Sequence, residues 1–298
     1  MLSSLPIQRF KSLAASYARR VVARTGLDDG LARLTQGKSP KSFLARLAPA
    51  CTEYPAPTVR TVERNGLELE LDVSDYMQWC AYFGIAVEPR EALYGLAQAG
   101  MCVLDVGTNV GETLLNLAKR VGRSGFVHGF EINPATFERC QRNVDRNRLG
   151  NIRLHQLGLG QSEGVLALER PTLRNTGGDR LRALGSTPAT GTVSVPVTTL
   201  DAFVAAEKLD RIDLIKIDTE GFEMNIVRGG RETLRKCHPT LFMEVCDRNL
   251  RPYGAPASAL IEELVALGYI LHHAETGVPV GPDYPFANEL FDVIGTAR

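Results

Sequence analysis

Three stretches of this chain end apolar runs on acids. "VLDVGTNVGE", residues 103–112, reaches Asp105 and continues into Gly107 and Gly111. "GFE", residues 129–131, closes a second run on Glu131, and "IKIDTEGFE", residues 215–223, closes a third on Asp218 with Glu220 two residues on. In an open α/β sheet, ligands bind beyond the carboxyl ends of the strands. An acid there can hold a cation or accept hydrogen bonds from a diol, and Gly107 permits the tight turn that brings the backbone to the ligand.

The turn after Asp105 discriminates between ligand classes. A P-loop needs Gly-Lys-Ser/Thr at the helix start, whereas Gly111 is followed by Glu112 and Thr113. A dinucleotide site needs G-x-G-x-x-G. Counted from Gly107, Asn109 and Glu112 put side chains where the second and third glycines belong, so NAD is disfavoured. S-adenosylmethionine carries no phosphate. Backbone N–H groups at a helix start can hold its carboxylate, Asp105 can attract its cationic amino-acid end, and Glu131 can accept from both ribose hydroxyls.

The elements that must position these acids alternate in type. "MCVLDV", "FVHGFE", "NIRLHQL", "RIDLIKID", "PTLFMEV", "YILHHA" and "ELFDVIGT" read as strands, and the segments from Gly111, from Pro134 and over "SALIEELVALG" read as helices. This alternation predicts a mainly parallel sheet covered on both faces. "GVLALE" and "TVSVPV" are two further strands flanking a long loop, residues 170–191, with Arg170, Arg174, Arg180 and Arg182. Upstream, Asn65-Gly66 marks a hairpin over residues 59–73. Residues 75–99 are expected to be helical, with Trp79, Tyr82 and Phe83 as anchors that pack on the sheet edge or roof the pocket.

Composition sets the outer bounds. The 298 residues are 44% hydrophobic and 23% charged, with 34 basic and 34 acidic side chains. That zero balance argues against a nucleic-acid partner. The first 60 residues nevertheless carry ten basic and three acidic residues. There Ile7, Phe10, Ala14, Tyr17 and Val21 recur at helical spacing, predicting an amphipathic helix that packs on the main domain or a second subunit, or lies on an anionic membrane surface. Six scattered cysteines without a CxxC pair read as free thiols in a reducing, cytoplasmic setting. No apolar run reaches membrane-span length.

Region 101–245 resembles the FkbM-type methyltransferases of the class I S-adenosylmethionine-dependent fold. "VLDVGTNVGET", "GFEINPATFERCQRNVDRN", "GLGQSEG", "VPVTTLD", "DLIKIDTEGFEMNIVRGG" and "PTLFMEV" carry the resemblance, in order and spacing. Thr108, Ile132, Gly158 and Gln161 stand where that family usually has Ala, Pro, Ala and Asp. The resemblance implies a Rossmann-like, doubly wound, mostly parallel seven-stranded sheet. Residues 1–58, outside the resemblance, read as a helical basic extension and linker before a domain of residues 59–298, with the hairpin and roofing helix over 59–100 and the core from 101. The resemblance implies cofactor contacts from Asp105, Gly107, Thr108, Asn109, Gly111, Glu112 and Thr113 around the turn. Glu131, Ile132, Gly158 and Leu159 follow on the nucleoside side, and Asp218 at the methionine end. It also implies O-methylation of a hydroxyl on a sugar, glycan, lipid-linked sugar or natural product.

An alcohol acceptor must lose a proton to a base or a metal-bound group. Asp218 is the first choice for orienting the methionine end or the acceptor, and Glu220 the second, as base or as the cap of the next helix. Glu244 and Asp247 follow the fifth strand. Mg²⁺ is compatible with these carboxylates, but no ligand spacing demands it. His128 and His155 fall inside strands, His238, His272 and His273 away from the strand ends in question, and none pairs at helical spacing. The competing readings are an NAD-dependent oxidoreductase and a cofactor-binding module without chemistry.

Overall fold

The computed structural model describes residues 19–38, 42–85, 90–169, 180–182, 193–287 and 289–297. Most of the amphipathic stretch Ile7–Val21 and most of the loop 170–191 lie outside them. The described residues divide into two compact units, one up to residue 85 and one from residue 90.

In the first unit, residues 19–25 are helical and are followed by helix α1, Asp28–Thr35. Strands β1, Val59–Arg64, and β2, Leu67–Asp72, form the antiparallel hairpin. Asn65 and Gly66 both take positive φ, 53° and 69°, as a type I′ turn requires. Leu67, Leu69 and Leu71 alternate inward and are buried. Helix α2, Tyr76–Phe83, is capped by Asp75 and stops at Gly84, whose φ of 62° is left-handed. The segment expected to be helical from 75 to 99 is therefore two helices. The aromatic anchors serve the first unit's own core: Tyr82 and Phe83 are buried, the Tyr82 hydroxyl bonds Asp29, and Trp79 Nε1 donates to the Pro49 carbonyl at 2.8 Å.

The second unit begins with α3, Arg90–Leu96. It continues with β3, Cys102–Val106; α4, Glu112–Val121; β4, Phe126–Phe130; α5, Pro134–Asn147; and β5, Ile152–His155. Then come β6, Gly158–Leu159; β7, Gly164–Glu169; β8, Arg180–Arg182; β9, Val193–Thr198; and α6, Leu200–Glu207. The last third holds β10, Leu214–Ile217; α7, Glu223–Gly229; α8, Arg231–Cys237; β11, Thr240–Cys246; α9, Asp247–Leu250; α10, Ala257–Ala266; β12, Tyr269–His273; and β13, Leu290–Ala297.

Seven strands form the expected sheet, in the order β12-β13-β11-β10-β3-β4-β5. Every pair is parallel except those made by β13, which runs antiparallel to β11 and β12. The connection reverses at β3, which lies between β10 and β4, so the switch point falls where Asp105 ends its strand. One face packs Leu104, Ile215, Leu241 and Met243 against Phe203 of α6, Ile226 of α7 and Leu260 of α10. Toward α4 the sheet is so closely covered that a Cβ on Gly129 would lie 2.8 Å from Thr108 and 2.9 Å from Leu114. The strands expected from "GVLALE" and "TVSVPV", β7 and β9, belong to a separate four-stranded sheet of order β6-β9-β7-β8.

Candidate active site

Asp105 is fully buried at the end of β3, in register with Lys216 on β10 and Gly129 on β4. Lys216 Nζ donates to the Gly107 carbonyl at 2.8 Å and stands 3.4 Å from Asp105 and 3.3 Å from Asp218. One buried lysine thus ties the turn to both carboxylates. Burial pushes the Asp105 carboxyl above the ordinary aspartate range, and Lys216 opposes the shift. Neither Asp105 oxygen has a hydrogen-bond partner among the described residues. Sequence reasoning passed over Lys216, although a lysine inside the buried strand "LIKI" breaks the apolar pattern and is itself a signal.

The turn uses its glycines differently from one another. Gly107 has φ 85°, and a Cβ there would lie 2.0 Å from the Asp218 carbonyl oxygen. Gly111 has φ 90°, and a Cβ there would lie 2.7 Å from Cys140 Sγ, so it serves packing on α5. The N–H groups of Gly107 and Thr108 both donate to the Phe130 carbonyl at 3.0 Å. They hold β3 to β4, so the donors for a carboxylate must come from the start of α4, which has no side-chain cap. The Thr108 side chain turns toward Cys140, and Asn109 takes the left-handed region at φ 51°. Glu112 is paired with Arg90 of α3, which neutralises the acid at that helix start. Thr113 lies beside it in the first turn.

Glu131 is buried just past β4, and its Oε1 accepts the Asn133 N–H at 2.8 Å. Ile132 follows, half-buried, and a Cβ on Gly158 would lie 3.2 Å from its Cγ2. Leu159 is buried in the core, which leaves its backbone as the part able to meet a ligand. A cavity of about 510 Å³ opens beside Gly160 and Gln161, walled by Val197, Phe222, Asn225 and Tyr253.

Beyond β10, Glu220 has φ 56° and accepts from Asn249 Nδ2 at 2.8 Å. Glu220 does not cap the next helix, which has no side-chain cap hydrogen bond; Glu223, its first residue, instead ties down the preceding turn, accepting from Thr219 N–H, Thr219 Oγ1 and Gly221 N–H at 3.0, 2.9 and 3.1 Å. Glu244 lies on β11 one residue past the Met243–Ile217 pair, level with Asp218 and opposite Asp292 of β13. Burial, then the charges of Asp218, Glu220, Glu223 and Asp292, raise its carboxyl well above the ordinary glutamate range. Asp247 is occupied at a helix start, accepting the Ala257 N–H at 2.9 Å.

The histidines stay out of this centre. His128 Nδ1 and His155 Nε2 are 3.1 Å apart, stacked among Phe130 and Phe203. Burial, followed by the charge of His155, lowers His128 to about 4. That juxtaposition across β4 and β5 is a contact that sequence spacing does not show.

Residues 105–271 match the methyltransferase FkbM domain. Methyltransferase 1 of Beauveria bassiana is 29% identical over 161 residues, covering 49% of this chain and 64% of that protein. The hexuronic acid methyltransferase AglP of Haloferax volcanii is 26% identical over 131 residues, covering 44% and 50%. The 2-O-methyltransferase NoeI of Sinorhizobium fredii is 25% identical over 190 residues, covering 59% and 75%. The chain thus spans under two thirds of the first relative's length and half of the second's.

Proposed function

This chain belongs to the FkbM family of methyltransferases, and from that premise we propose that it moves the methyl group of S-adenosylmethionine to a hydroxyl, leaving S-adenosylhomocysteine. The observation that carries the cofactor is Asp105, whose two oxygens are buried without a hydrogen-bond partner among the described residues. Lys216 Nζ at 3.4 Å supplies one positive charge, and the cofactor's ammonium would supply the hydrogen bonds those oxygens lack. Glu131 at the end of the next strand calls for donors, which ribose hydroxyls supply. A diphosphate would set negative charge against Asp105, which disfavours the NAD-dependent alternative.

The acceptor we propose is a sugar, glycan, lipid-linked sugar or natural product. The names of AglP and NoeI, a hexuronic acid methyltransferase and a 2-O-methyltransferase, support a sugar hydroxyl first. When bound, S-adenosylmethionine supplies a methyl carbon already activated by its sulfonium. The chain's task is then to align the acceptor and remove its proton. Glu244 is the base we assign, since a raised carboxyl pKa brings a base toward working pH. Asp218, level with it on the next strand, orients the hydroxyl, and Glu220 stands behind on Asn249. With the cofactor bound, the hydroxyl proton would pass to Glu244 and then to water as the acceptor oxygen took the methyl group from sulfur. Among the described residues no three His, Cys, Asp or Glu are grouped to hold a metal, and no helix is long and apolar enough to cross a membrane.

Calorimetry with S-adenosylhomocysteine and NAD tests the cofactor, and labelled methyl transfer to hexuronic acids and neutral sugars tests the reaction. Binding of S-adenosylhomocysteine with transfer to a sugar is the expected result. Tight NAD binding without a response to S-adenosylhomocysteine would overturn the reading. Cofactor binding without turnover on any hydroxylated acceptor would leave a binding module.

A further inference from the structure

Helix α3 precedes the family-matched segment, yet it brings a second buried polar orphan to the turn. Tyr94 is 4% exposed and packs against α4, with Arg120 lying over its ring at 5.8 Å. Its hydroxyl has no hydrogen-bond partner among the described residues. Glu112, Arg90 and Asp105 act on it electrostatically, and the Thr113 side chain interacts with it without a hydrogen bond of normal geometry. A buried hydroxyl left unbonded costs its full desolvation, and buried polar groups in folded proteins are nearly always paired.

Asp105, ion-paired with Lys216 but without a hydrogen bond among the described residues, and Tyr94 are chemically opposite. An ionised Asp105 can only accept hydrogen bonds, whereas a tyrosine hydroxyl can donate one. Burial first, then the charge of Glu112, raises the Tyr94 hydroxyl, so it keeps its proton. The first turn of α4, against which Tyr94 packs, has N–H groups with no side-chain cap and carries the positive end of the helix dipole. Glu112, the one acid in that turn, is neutralised by Arg90. An acceptor-only group beside donors and a helix start is complementary to a zwitterion: an ammonium on one side, a carboxylate on the other.

We propose that Tyr94, together with the first turn of α4, holds the carboxylate of the cofactor's amino-acid end while Asp105 takes its ammonium. The assignment rests on the S-adenosylmethionine reading above and adds a residue outside the motifs that suggested it. Tyr94 is a binding residue and takes no part in the proton transfer.

The test compares S-adenosylhomocysteine with 5′-methylthioadenosine, which keeps the nucleoside and thioether but lacks the amino-acid end. Titration calorimetry on the full chain and on Tyr94→Phe gives four dissociation constants. Tyr94→Phe is expected to weaken S-adenosylhomocysteine about 10-fold, about 1.4 kcal/mol, and to leave 5′-methylthioadenosine unchanged. The ligand-free variant should melt no lower than wild type, because the substitution removes an unbonded hydroxyl and keeps the ring. Equal weakening of both probes, or of neither, in a variant that melts normally overturns the assignment of Tyr94 alone. A wild-type protein that binds neither probe overturns the cofactor reading and this inference with it.

Discussion

The Asp218 carbonyl oxygen lies 2.0 Å from the point a Cβ on Gly107 would occupy. The first turn of the switch point and the end of the neighbouring strand are in backbone contact, and Lys216 fastens the same corner from below through the Gly107 carbonyl. The site is therefore one rigid junction between β3 and β10.

Gly107→Ala should open that junction. Its φ of 85° is strained for any residue with a Cβ, and the carbonyl must move. We expect a stability loss on the order of 2–4 kcal/mol in urea denaturation, together with lost S-adenosylhomocysteine binding. A variant as stable as wild type would show that the turn and strand do not meet this closely.

Lys216→Met should leave Asp105 buried without its counter-charge, at about 3–5 kcal/mol. The pH dependence fixes the cause. Asp105 already has a raised carboxyl in the folded chain. A carboxyl raised on folding costs stability as pH rises from the ordinary aspartate range through its folded value. Removing Lys216 raises it further, so the gap between variant and wild type should narrow in acid and widen toward neutral pH. A gap independent of pH would point to lost packing.

Glu244→Gln separates activity from stability. Ionising Glu244 in the folded chain opposes its burial and four neighbouring acids. Its raised carboxyl therefore costs stability as pH climbs above the ordinary glutamate range. The glutamine variant should melt higher than wild type at neutral pH and match it in acid. In wild type, kcat/KM should rise with pH through the Glu244 titration, and the variant should lose that limb and about 10²–10⁴ in rate. Full activity with an unchanged pH profile would remove Glu244 from the chemistry.

Glu131→Ala should weaken S-adenosylhomocysteine and 5′-methylthioadenosine alike by ~10-fold or more, because a charged acceptor serves the ribose they share. Glu131→Gln, which keeps an acceptor for the Asn133 N–H, controls for damage to the start of α5. Undiminished affinity in both variants would mean that the ribose is held elsewhere.

Much of the sheet is legible in the sequence. Each of the seven strands expected from 101 onward is present, because each is an apolar run closed by an acid, a turn or a helix start. The stretch 75–99, expected to be helical, is interrupted at Gly84, whose left-handed φ ends the first helix. The capping role weighed for Glu220 is filled by no side chain, because Glu220 turns to Asn249 and Glu223 to the turn before the helix, and only the direction of the turn decides that. Strand β8 gave no signal, being three residues long inside a loop rich in Gly and Thr.

Sequence alone determined which acids end which strands, since that depends on local order: an apolar run, a carboxylate, then a glycine that permits the turn. It also settled the absence of a P-loop, since Glu112 stands where a lysine would have to be. Tertiary structure decided how those acids are charged and partnered. Lys216 reaches Asp105 from 111 residues away, Glu244 meets acids from residues 218–223 and from β13, and Tyr94 brings an unbonded hydroxyl from a helix outside the motif. Such relations depend on strand order and burial, which set distance and dielectric, and neither is a property of neighbouring residues in the chain.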